Sequence, residues 1–285
     1  MTIQMQASIF NEYLKAENDD SSIFLEKSFA VQRKSWEGEW VGLPYLLSRC
    51  VDFLHLSKPS LSSDATQMLL AANAIAESIE FQFSKVSAET EPKYHNRLHI
   101  ADVLTAISVL IYIQSKIQGD LDKEWIACAL LSAIAHDFDH PGKVNQFESE
   151  IESKTVQQLQ PFLLNHQVPS HWCKALESAI LRSDFSLVKK NHQLVKGKNF
   201  QCDQDWLNIF LNEADVMASA SDKFGLQLGN SLAQEWRLID FPAYQSVATE
   251  TGRKAFLRQL EFSSAASRLL NINVNIAEQL DITAQ

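Results

Sequence analysis

Two histidines stand four positions apart in "YHNRLHIADV", residues 94–103, and "AIAHDFDHPG", residues 133–142, repeats that spacing inside an apolar run. The chain has only 8 histidines in 285 residues, yet His95, His99, His136 and His140 fall within 46 consecutive positions, interleaved with Asp102, Asp137 and Asp139. A lone histidine on an apolar helix is ordinarily a satisfied core or surface residue. The His-Asp pair after "LLSAIA" is different, because an ionised Asp137 beside so apolar a run costs on the order of several kcal/mol unless it is paired or bound to a cation. Imidazole and carboxylate together suit Zn²⁺, Mn²⁺ or Fe²⁺ better than Ca²⁺, which prefers oxygen alone. These residue types point to a borderline metal.

Spacing sets conditions on the elements that carry them. Residues four apart share a helix face, so His95 and His99 approach one centre only if the helix reaches back to residue 95. His136 and Asp137 differ by about 100° on an ideal helix and meet one ion only near a helix end, which Pro141-Gly142 supplies. A further ligand must come from elsewhere. "WLNIFLNEADVMASA", residues 206–220, offers Asp215 on a helix that is apolar on the same side at Leu207, Leu211, Ala214 and Ala218, while its neighbour Glu213 points away and is expected to be solvated. Asp184 in "ILRSDF" competes, but stands near the end of its helix, where Asp commonly caps or turns.

The rest of the sequence predicts an all-α protein. It has 46% hydrophobic residues but only 8 Gly and 7 Pro, few of the breaks that many short strands require. Periodic segments near 22–57 and a helix over "ATQMLLAANAIAESIEFQFSKV", capped by Ser62 or Ser63 with Asp64, precede helices at about 98–117, 125–136, 149–166, 170–183, 203–222, 226–238 and 251–271. The expected organisation is one domain over 1–285: an N-terminal helical part to about 90, a metal-site core over about 91–222, and pocket helices over about 223–285. A net charge of −10 argues against a nucleic-acid partner. The basic run "KKNHQLVKGKNF", residues 189–200, is expected as a solvated loop, or else as a lip that attracts an anionic substrate. Cys50, Cys128, Cys173 and Cys202 form no Cys-x-x-Cys pair. The opening residues show no leader pattern and no apolar run approaches about 18 residues, so the expectation is a cytoplasmic protein with no membrane partner, its oligomeric state open between monomer and homodimer.

In chain order, "YHNRLHIADV", "HDFDHPGKVNQF", "ILRSDF" and "EADV" resemble the catalytic domain of the class I cyclic-nucleotide phosphodiesterases, a branch of the HD metal-dependent phosphohydrolases. The resemblance covers roughly residues 94–262 and implies a compact helical bundle of that type. It implies that His99, His136, Asp137 and Asp215 hold a first metal, commonly zinc, and that Asp137 bridges to a second, Mg²⁺ or Mn²⁺, held otherwise mainly by water. His95 would then be the general acid and not a ligand. Its partner in the family is a Glu about 20 residues past the last metal Asp, and Glu235 stands 20 past Asp215. His140 would lie near the metal-bound water. A Gln-x-x-Phe pair that holds the base matches Gln259 and Phe262, although Phe262 at helical spacing also suits a core position; Tyr94 would join them on the substrate side. The implied reaction is hydrolysis of a 3′,5′-cyclic nucleotide to the 5′-nucleotide by a hydroxide bridging the metals, with a proton from His95 for the leaving oxygen.

Two positions depart from the family. Ala218 stands where the family has an Asn near the base, and Leu164-Asn165-His166-Gln167 stands where it has Glu-Asn-His-His, which leaves the waters of the second metal without that carboxylate. HD folds also host nucleotidases and di-iron oxygenases, and degenerate ones serve as sensors or scaffolds. The complete set His99, His136, Asp137 and Asp215 counts against a degenerate fold.

Overall fold

Apolar residues recurring at three and four positions bury one face of the long helices against their neighbours, and a computed structural model of the chain shows the result. It describes residues 21–56, 61–84 and 91–281, and among these it contains fourteen helices and no strand. They are α1 (Ser21–Glu37), α2 (Leu43–Phe53), α3 (Ser63–Ser84), α4 (Arg97–Gln118), α5 (Lys123–Ala135), α6 (Glu150–Asn165), α7 (Ser170–Leu181), α8 (Phe185–Val195), α9 (Gln204–Ala220), α10 (Gly225–Trp236), α11 (Phe241–Val247), α12 (Glu250–Leu257), α13 (Ala265–Leu269) and α14 (Ile272–Gln279). The opening stretch read for a leader and parts of the breakers at 58–64 and 87–93 lie outside the described residues.

Helix α4 is the axis of the bundle, packed on α9, α1, α5, α2 and α13. Leu104, Ile107 and Leu110 on it are fully buried, each contributing about 1.5–3 kcal/mol relative to exposure. By length and composition α4 is apolar enough to cross a membrane, but 83% of that apolar window is buried inside the protein. Its neighbour α5 is buried from Trp125 through Ala135. The indole nitrogen of Trp125 donates to the Asp203 carbonyl at 3.0 Å and ties the start of α5 to that of α9. Arg33 of α1 grips Asp102 of α4 with two hydrogen bonds of 3.0 and 2.8 Å in the interior, and its guanidinium lies 4.3 Å from the Phe224 ring centre.

The polypeptide departs from expectation in several places, and α8, α11 and α14 are helices where none was expected. The single helix expected over 251–271 is two helices, α12 and α13, joined by an irregular stretch near 260–264. The apolar spacing continues across that stretch because Leu260 and Phe262 still pack on the core, which hides the break from any periodicity argument. The basic run is also no simple loop: it begins inside α8, where Asn191 and His192 are buried, because α8 turns that face toward α9.

Candidate metal centre and the cavity beside it

Helix ends position the central groups. Asn96 is extended and caps α4, its side-chain oxygen accepting from the Leu98 and His99 amides at 3.0 and 3.1 Å. The helix therefore starts at Arg97, and the condition for His95 to share a face with His99 is not met. His99 points inward from the first turn of α4. His136 sits at the C-cap of α5, and the turn that follows brings Asp137 round to the same point. Asp215 comes from the middle of α9.

Their donor atoms converge. His99 Nε2 lies 3.0 Å from Asp215 Oδ1, 3.3 Å from Asp137 Oδ2 and 3.3 Å from His136 Nε2. His136 Nε2 lies 3.4 Å from Asp137 Oδ2 and 3.7 Å from Asp215 Oδ1. His136 Nδ1 donates to the Ala133 carbonyl at 2.9 Å, so in the neutral ring Nε2 carries a bare lone pair aimed at the cluster. Asp137 Oδ2 is buried with no hydrogen-bond partner. Burial would raise the Asp137 carboxyl, but His136, His140, His99 and His95 around it hold it well below the usual carboxylate range. Lone pairs facing a buried carboxylate repel unless a cation lies among them, so these four residues fit a divalent metal.

His95 is turned the other way. Its Nδ1 meets Glu235 Oε1 at 2.5 Å, while Glu235 Oε2 accepts from the Tyr94 and His95 amides at 2.7 and 3.1 Å. Glu235, from α10, thus fixes both ring and backbone, leaving Nε2 as the ring's remaining nitrogen. Gly142 explains the Pro-Gly step: its φ is +66°, and a Cβ there would meet the Glu235 carboxylate at 3.2–3.3 Å. His140 stacks on His95 with ring centres 3.8 Å apart, and its Nδ1 accepts from the Gly142 amide at 3.1 Å. Burial and the neighbouring His95 push the His140 pKa down to about 4, so it is neutral near pH 7.

A cavity of about 410 Å³ opens beside this group and is lined by Tyr94, His95, Asp137, His140, Asp215 and Gln259 among others. Tyr94 packs its ring 4.8 Å from His99 and bonds Ser219 Oγ through its hydroxyl at 2.9 Å. Phe262 is not on the cavity wall. It is 6% exposed and packs in the core, and the aromatic wall is instead Phe256 stacked on Phe185 at 5.8 Å. Asp184 caps α8 through the Ser186 amide at 2.8 Å and also accepts from Ser149 at 2.6 Å. Asp102 is taken by Arg33, and Asp139 accepts from Gln158 at 2.6 Å. None of these three belongs to the His99–His136–Asp215 group.

Two carboxylates escaped the sequence reading. Leu164 is 74% exposed at the far end of α6, whereas Glu152 in the first turn of that helix lines the cavity and accepts from Asn145 at 2.8 Å. Burial, reinforced by Asp184 and Asp137, raises its pKa. The available signal was Asn145, whose side chain also accepts from the Ile151 amide at 2.8 Å and so draws the start of α6 to the His-Pro-Gly turn. Glu213, expected in solvent, is fully buried. It does point away from Asp215, but Ser263 and Ser264 cover that face and donate to it. Burial outweighs those donors and pushes its pKa up to about 7.

Comparison with known proteins falls on this same geometry. The profile of the 3′5′-cyclic nucleotide phosphodiesterase family matches residues 94–166, the stretch that carries His95, His99, His136, Asp137 and His140. The likeness is to the class I cyclic-nucleotide phosphodiesterases. A mouse high affinity cAMP-specific and IBMX-insensitive 3′,5′-cyclic phosphodiesterase 8A is 39% identical over 67 residues, 24% of this chain and 8% of the mouse protein. The human dual specificity calcium/calmodulin-dependent 3′,5′-cyclic nucleotide phosphodiesterase 1C is 26% identical over 139 residues, 49% of this chain and 16% of its own length. A phosphodiesterase 8 from Drosophila melanogaster is 28% identical over 121 residues, 42% of this chain and 10% of its own. The matched region is thus a small part of each of these phosphodiesterases.

Proposed function

We propose that this protein hydrolyses the phosphodiester of a small nucleotide, a 3′,5′-cyclic nucleotide, to the 5′-nucleotide. One observation carries the reading: the His99–His136–Asp215 group, with Asp137 3.3–3.4 Å from both imidazoles, and a Glu-anchored His95 meet at one cavity, whose wall includes Asp137, Asp215 and His95. His99, His136, Asp137 and Asp215 would hold a first metal, zinc by its mixed nitrogen and oxygen donors. Asp137 and Glu152, on the cavity side, would serve a second, Mg²⁺ or Mn²⁺, for which oxygen donors suffice. Bound there, two divalent cations activate water and neutralise phosphoryl charge.

The chain's own groups supply the rest. Glu235 accepts the Nδ1 proton of His95, which leaves Nε2 to deliver a proton to the departing 3′ oxygen as its bond to phosphorus breaks. Neutral His140 stacks on the donor ring and holds it in place. Phe256, Phe185 and Gln259 line the region where the base would lie. The test is elemental analysis of the purified protein with a turnover screen over 3′,5′-cyclic adenosine and guanosine monophosphates. Two metals per chain and metal-dependent release of 5′-nucleotide are expected. Two irons without phosphodiesterase activity would refute the reading.

A further inference from the structure

Glu213 and Asp215 stand two apart on α9, about 200° around the helix, so one face of α9 carries the candidate metal ligand and the opposite face carries a second, buried carboxylate. That carboxylate is fully occupied. Its Oε1 accepts from the Ser263 and Ser264 amides at 2.5 and 2.7 Å, and its Oε2 accepts from the Ser264 hydroxyl at 2.6 Å. Ser263 is held by every polar group it has: its hydroxyl meets His192 Nδ1 at 2.7 Å and its carbonyl accepts from Arg268 at 2.6 Å. Ser264 in turn caps α13 through the Ser267 amide at 2.9 Å. The irregular stretch between α12 and α13 is tied at its start by the Leu260 amide donating to the Leu257 carbonyl at 3.4 Å and in its middle by Asn273 donating to the Phe262 carbonyl at 3.2 Å. That leaves 263–264 to Glu213, His192 and Arg268, and the stretch connects directly to Phe256 and Gln259 on the cavity wall.

We propose that Glu213 is a positioning residue: it clasps the 263–264 backbone to the back of α9 and thereby sets the distance between the Phe256–Gln259 wall and the metal ligand Asp215 on the front. A nucleotide bridges those two parts, phosphate at the metal and base at the wall, so the clasp determines how tightly the base is held. This rests on the cyclic-nucleotide reading above. Cutting the clasp lets the wall drift while the cluster on the other face keeps its ligands. An ester without a base does not sense that drift.

The test uses the metal-loaded protein with Glu213→Ala, Glu213→Gln and the milder Ser264→Ala. In Glu213→Ala, KM for a 3′,5′-cyclic nucleotide rises about tenfold with kcat within about twofold, and kcat/KM for bis(p-nitrophenyl) phosphate stays within about twofold. Metal content is unchanged. Glu213→Gln restores most of the affinity, because its carbonyl still accepts both amides and its amide nitrogen donates to the Ser264 hydroxyl. Ser264→Ala, which loses only the hydroxyl bond, lies between the two and decides the matter if Glu213→Ala does not fold. Equal losses on both esters, loss of metal, or an unchanged KM in all three variants would overturn the inference. Should the unmodified protein turn over neither ester, the proposed function fails on its own. Amide hydrogen exchange then judges the clasp, since residues 256–264 must lose protection in Glu213→Ala while α9 keeps its own.

Discussion

At the scale of single residues, the division of labour between the two ring systems is the most exposed claim. Replacing His95 by Ala is expected to lower kcat by about 10²–10⁴-fold with metal content retained, whereas Asp215→Asn is expected to lose metal and activity together. Inductively coupled plasma analysis beside turnover separates the two. A third expectation concerns stability. Burial pushes the His192 pKa from 6.5 down to about 4, so between those values the unfolded chain binds a proton that the folded chain refuses, and stability falls as pH drops through that window. The loss approaches about 2–3 kcal/mol near pH 4, and His192→Gln should flatten that limb in urea unfolding measured from pH 7 to 4. That Asp137 calls for a cation was legible in the sequence, because a carboxylate set into an apolar run must offset its burial. That His99 and Asp215, not His95 and Asp184, stand beside it came from the resemblance, since residue types and spacing left both pairs open. Glu152 and Glu213 were not legible, since their surroundings come from chain far away: Glu152 faces Asp137 across the cavity, and Glu213 is covered by serines about fifty residues downstream.

Elements matter here through their ends. Each group in the centre except Asp215 is delivered by a terminus: His95 just before α4, His136 at the cap of α5, Glu152 in the first turn of α6. Asn96→Ala removes the acceptor for two α4 amides and should cost about 1 kcal/mol, read as a drop in melting temperature, with activity lost beyond the fraction unfolded because His95 and His99 flank that cap. Gly142→Ala should impair activity with little loss of metal, because a methyl at φ +66° meets Glu235 and not the cluster. Sequence periodicity located the long helices well, as apolar residues on α4 and α5 leave no alternative. It failed at 251–271, where a real break keeps apolar residues on the core side.

On the scale of the whole molecule, the cluster joins α4, α5 and α9, the three helices that also share the core. A cation bound there acts on all of them. Stripping metal with a chelator should lower the melting temperature, and restoring it at about a hundredfold over its dissociation constant should return about 2.7 kcal/mol. The all-α bundle was readable from composition and period alone; which helices meet was not, because that depends on contacts between faces. Glu235 has one further bearing. It contacts Tyr94 and His95 from 140 residues away, and it follows Asp215 by twenty positions. A ribosome adding about 5–20 residues per second therefore makes the last cation ligand about one to four seconds before it makes the residue that holds the proton donor. The cluster's last carboxylate is thus in the chain before the residue that orients His95, and neither side of the site depends on the other to be made.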